Sequence, residues 1–170
     1  MFGLCLLVAA CGAKVDPNKG AFRDAASPIY SNAAFDVAKL AGQWDQVAEY
    51  STATQSGCQA GMASFVPKAG VMQGEYKLCL SGQVVTGTGM IVTTGPGRFS
   101  VKGKGGIGHD WWVLWVDEGY RTLAIGTPSG SFGFILNRGT SLPNDRLAAA
   151  REVFDFNSYG VERLSVFGTQ

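Results

Sequence analysis

Charge is scarce in this 170-residue chain: 14 Lys and Arg stand against 13 Asp and Glu, and charged residues make up 16% of the total. A net charge of +1 offers no electrostatic footprint for nucleic acid or for an anionic bilayer. Histidine is scarcer still, with His109 alone. The chain has no CxxC pair, HExxH run or acidic cluster, so metal coordination has no ligand set and no cofactor is expected. The apolar run at residues 2–10 falls far short of the roughly 20 residues that cross a bilayer. Glycine and phenylalanine, by contrast, are plentiful at 24 and 10 copies. Many turns and many aromatics in a low-charge chain favour strands over a helical bundle.

The apolar run leads into Val8-Ala9-Ala10-Cys11-Gly12, which resembles the bacterial lipobox, although no Lys or Arg precedes Lys14. The resemblance implies cleavage before Cys11 and acylation of that residue. Gly12 after the Cys is similar to the pattern that sorts lipoproteins to the outer membrane. Residues 1–10 are therefore expected to be a signal peptide and residues 11–34 a lipid-anchored tether without periodicity. The folded domain is expected over 35–170, facing the periplasm from the cell outer membrane. Of the four cysteines, Cys5 would leave with the signal and Cys11 would carry lipid. Cys58 and Cys79 remain, and a pair in an exported protein reads most simply as a disulfide, worth roughly 3 kcal/mol. The alternative is a reactive thiol, which needs a neighbouring base.

From Ala41 onward, β-like runs alternate with turn residues. They are expected at 43–51, 58–66, 71–80, 83–94, 98–102, 110–116, 120–127 and 131–138. In the third, Tyr76, Leu78 and Leu80 share one face and Lys77 and Cys79 the other. Gly103-Lys104-Gly105-Gly106-Ile107-Gly108 spells a dinucleotide fingerprint, but no helix follows it, and it reads as a flexible turn. After the strands, Asn144 is the expected N-cap of one helix, with Leu147, Ala150, Val153 and Phe154 on its apolar stripe. A short ninth strand at 164–167 follows. The expected fold class is all-β: an eight-stranded up-and-down antiparallel β-barrel, one C-terminal α-helix and a ninth strand.

That order, together with three motifs, resembles the lipocalins, and within them the bacterial outer-membrane lipoprotein type. The motifs are Gly42-Gln43-Trp44, the pair Asp117 and Tyr120, and Arg138 at the end of the eighth strand. The resemblance spans about residues 35–168 and implies that Arg138 lies across the Trp44 indole at the closed end, a contact of roughly 0.5–2 kcal/mol. Gly42, Trp44, Asp117, Tyr120 and Arg138 are thus structural. Asp45 departs from the aromatic found there in many relatives, and Gly87 and Gly89 interrupt a strand.

The resemblance further implies binding or transport of a small hydrophobic ligand in the barrel, such as a fatty acid or lysophospholipid, with no catalysis. Strand alternation and matching aromatic positions nominate Tyr76, Met90, Trp111 and Phe134 as pocket contacts, with Trp112 competing with Trp111. Two other readings stand beside this one. A lipocalin-type enzyme would use a free Cys in the barrel, and a filled barrel would bind a protein partner. Assembly as a homodimer is left open.

Overall fold

A computed structural model describes residues 21–52 and 57–168. Nine strands run in chain order: β1 (Gly42–Tyr50), β2 (Met62–Lys68), β3 (Val71–Leu80), β4 (Gln83–Gly95), β5 (Arg98–Gly105), β6 (Trp111–Val116), β7 (Thr122–Gly126), β8 (Phe134–Asn137) and β9 (Leu164–Val166). One helix, α1 (Asn144–Phe156), separates β8 from β9. Each of β1 to β7 pairs antiparallel with the next strand, and β1 also pairs with β8, which closes the barrel. One edge of β1 is shared: β2 takes Gly42–Asp45 and β9 takes Ala48–Tyr50.

Alternation inside the strands explains the interior. Ala63 and Phe65, then Tyr76, Leu78 and Leu80, then Phe99, Trp111 and Val113 all join one buried cluster. The strand 71–80 is the clearest case, and its bounds are those the alternation gives. Pro67 continues β2 opposite Met72 instead of ending the strand. The β1 ladder has already stopped at Gly42↔Phe65, so the missing proline N–H leaves no vacancy in a ladder. Similarly, β5 runs on through Gly103 to Gly105, so the glycine-rich stretch is strand in its first half. A Cβ on Gly103 would lie 2.0 Å from the Thr88 carbonyl oxygen, so only glycine lets these two backbones meet.

A second buried cluster lies outside the barrel wall. Phe154 and Ala150 of α1 pack with Val47, Tyr50, Leu114, Ala124, Ile135 and Tyr159. Pro143 occupies the N-cap position and Asn144 is the first helical residue, so Asn144 does not cap the helix. The part of the expected tether that is described, residues 21–34, lies on the barrel: Phe22 and Arg23 are both buried. Arg23 donates to the carbonyls of Asn157, Pro128, Ser27 and Pro28. Cys5, Cys11 and the lipobox lie outside the described residues.

Candidate functional site

The barrel has one end closed and one end covered. At the closed end, the short 3-10 helix Val37–Leu40 lies under the strands. Trp44 donates its indole N–H to the Leu40 carbonyl at 2.7 Å. The Arg138 guanidinium sits 4.1 Å from the Trp44 ring centroid and donates to the carbonyls of Tyr120, Lys39 and Ala41. Gly42 has a φ of +113°, and a Cβ there would come within 2.7 Å of the Arg138 guanidinium. Asp117 fastens the β6–β7 turn by accepting from the backbone N–H groups of Arg121 and Thr122 and from the Arg121 guanidinium. Burial would raise the Asp117 pKa, but these donors outweigh it and hold the carboxyl below its ordinary value. Tyr120 donates its backbone N–H to the Asp117 carbonyl at 2.9 Å, and its phenol accepts from the Asp36 N–H. All five motif residues therefore serve the closed end.

The interior above this floor is a packed aromatic stack. Trp111 is its centre, with ring centroids 5.0 Å from Tyr76, 5.1 Å from Phe134 and 5.3 Å from Phe99. Phe65 closes on both Phe99 and Trp111. The Trp111/Trp112 question is thereby decided: Trp111 points in, while Trp112 packs on the outer cluster beneath the Arg98 guanidinium. Tyr76, Trp111 and Phe134 are brought together as expected of neighbours in one interior. Met90 is not among them. It is 47% exposed, on the face opposite to Val85 and Ile91, so the expectation that it lines the interior is corrected. Residue types do not reveal this face, because the inward positions beside Met90, Gly87 and Gly89, carry no side chain to mark it.

Where Gly87 leaves room, Tyr76 fills it. A Cβ on Gly87 would lie 2.5 Å from the Tyr76 ring. The Tyr76 phenol accepts a 2.9 Å bond from the Ile107 N–H, and burial raises its pKa, so it stays neutral. Gly106 donates to the Thr86 carbonyl at 2.8 Å. These two bonds draw the loop 106–110 over the barrel, and Ile107 packs against the interior cluster. Ile107, missed at the sequence level inside a glycine run, acts as a plug. The wall is also weakest here, because β5 pairs with β6 only at Arg98↔Trp112 and Phe99↔Trp111.

Cys58 and Cys79 form a disulfide with Cα atoms 5.7 Å apart, joining the segment before β2 to the end of β3. A concavity of about 620 Å³ lies on the outer wall, where Ser64, Glu75 and Thr88 stand in one cross-strand row.

A closed eight-stranded up-and-down antiparallel barrel, capped at one end by an Arg over a Trp, belongs to the class of small β-barrels whose interior holds packed side chains or one small ligand. The chain belongs to the lipocalin-like family, whose family model, the lipocalin-like domain, matches residues 35–168. No curated protein sequence matches it. Among solved structures it is similar to insecticyanin from the tobacco hornworm Manduca sexta, with a TM-score of 0.63 and 12% identity over 85% of this chain and 86% of that one. It is also similar to the cockroach allergen Per a 4, with a TM-score of 0.61 and 14% identity over 83% of this chain and 92% of the other. The siderocalin Ex-FABP, described as acting through dual ligand specificities, matches with a TM-score of 0.54 and 14% identity over 78% and 95% of the two chains.

Proposed function

We propose that this protein binds a small hydrophobic ligand in the barrel and carries it, the ligand being a fatty acid or lysophospholipid. The observation that supports this most is the plugged, weakly paired wall over the aromatic stack. Ile107 occupies a place on Trp111's side of the barrel that an acyl chain could take instead, at about 0.8 kcal/mol per buried methylene. In this reading Cys11 carries lipid and holds the protein to the outer membrane facing the periplasm, where storage, transport or envelope maintenance would use it. A family of binding proteins and a Cys58–Cys79 pair tied up as a disulfide both speak against thiol catalysis. Tryptophan-fluorescence titration of the purified chain with fatty acids and lysophospholipids tests the proposal. Saturable quenching at micromolar ligand supports it, and a flat response from folded protein overturns it.

A second reading draws on the same aromatic stack. Rings packed at 5.0–5.3 Å around Trp111 suit a filled barrel that presents its outer surface to a protein partner. A flat titration would favour it.

A further inference from the structure

Above the Phe99↔Trp111 pair, β5 continues to Gly105 beside β4 while its other edge faces the loop 106–110. In that gap lies a cavity of about 220 Å³ bordered both by buried residues and by exposed ones. Tyr76 and Trp111 of the interior cluster border it, as do Ser100, Lys102, His109 and Asp110; Ser100 and Lys102 alternate with the inward Phe99 and Val101 and so stand at its outer mouth. Ser100 is 4% exposed, and its Oγ has no hydrogen-bond partner among the described residues. A buried hydroxyl without a partner carries a standing cost that a suitable acceptor would relieve.

We infer that this gap is a headgroup site in the barrel wall, with Ser100 and His109 as donors to a single carboxylate and Lys102 at its rim. The inference rests on the hydrophobic-ligand reading of the barrel and deepens it by naming the headgroup. Three features select that chemistry. Ser100 and His109 each offer a donor whatever the His protonation state. Lys102 supplies one positive charge, and Asp110 on the same wall opposes a second negative charge, which disfavours a phosphate dianion. The volume lies below the roughly 300 Å³ at which sites for drug-sized ligands begin, which suits a carboxyl better than a glycerophosphocholine headgroup. The carboxylate at the wall directs its hydrocarbon tail past Tyr76 and Trp111, displacing Ile107 from the stack.

The test compares palmitate, hexadecanol and palmitoyl-lysophosphatidylcholine by tryptophan fluorescence on the wild-type chain and on Ser100→Ala and His109→Ala. Palmitate should bind about tenfold tighter than hexadecanol, the ratio expected of a hydrogen bond to a charged group. Each substitution should weaken palmitate by about that factor and leave hexadecanol unchanged. His109 lies in a loop, so its variant keeps the test open if Ser100→Ala disturbs folding, which near-UV circular dichroism reports. Equal affinity for all three amphiphiles, or palmitate binding unaffected by both substitutions, overturns the headgroup site alone. Binding of none of the three overturns the ligand-binding reading itself.

Discussion

The Arg138 guanidinium lies 4.1 Å from the centre of the Trp44 ring, and its N–H groups reach three backbone carbonyls from two different segments. One side chain thus ties the end of β8 to the 3-10 helix and to the β6–β7 turn. Arg138→Lys keeps the charge but loses the planar fork that stacks and donates together. The expected cost is about 1–3 kcal/mol, read as a lower urea midpoint with an unchanged slope. A midpoint equal to wild type would mean that the floor does not depend on this residue.

Asp117 sets an acid limit on the same end of the barrel. Its carboxyl is only 7% exposed, and its pKa is held down by the Thr122 and Arg121 donors in the folded state. A depressed folded pKa adds stability above the unfolded carboxylate's ordinary value, near 3.9, and that stability is lost as pH falls through the folded value. Asp117→Asn should therefore be less stable than wild type at neutral pH, by about 1–3 kcal/mol, and the gap should narrow below about pH 4. Thermal melts of both proteins from pH 7 downward would reveal the convergence. Parallel curves would rule out Asp117 as the source.

The disulfide should matter chiefly to the covered end. Its two residues are 21 apart in sequence, and closing a loop of that size stabilises by roughly 3 kcal/mol in the chain-entropy model. Denaturation with and without a thiol reductant should show that difference. No difference would mean that the unfolded chain is already confined near Cys58 and Cys79.

Where one face of a strand meets the core and the other meets water, the pattern was legible from residue types alone. Tyr76, Leu78 and Leu80 fixed both the face and the ends of β3. The run Trp111-Trp112-Val113-Leu114-Trp115-Val116 gave no such answer, because both of its faces are covered. Trp111 and Val113 look into the barrel, while Trp112, Leu114 and Trp115 meet the outer cluster with α1. A two-sided apolar strand erases the alternation. Met90 failed for the opposite reason, with inward neighbours that have no side chains. The three motifs lie together at the closed end, where they form local turns and the Arg138–Trp44 contact. The plug was not legible, since Ile107 earns its place from a Tyr76 bond that spans 31 positions of sequence.

That bond makes the last prediction. Tyr76→Phe preserves the ring that fills the space over Gly87 and removes only the oxygen that accepts from Ile107. The loop then keeps the Gly106–Thr86 bond as its remaining backbone tie over the barrel. Losing one neutral hydrogen bond should cost about 1 kcal/mol of overall stability, yet it should raise the population of open loop about fivefold. If ligand enters past Ile107, stopped-flow quenching of Trp111 should accelerate by a similar factor. Gly87→Ala acts on the same contact from the other side, because its Cβ would force the Tyr76 ring away from the wall. Both variants should share the faster entry, whereas a variant on the outer face such as Met90→Ala should not. Unchanged association rates in Tyr76→Phe and Gly87→Ala would place the ligand's path elsewhere than the β5–β6 gap.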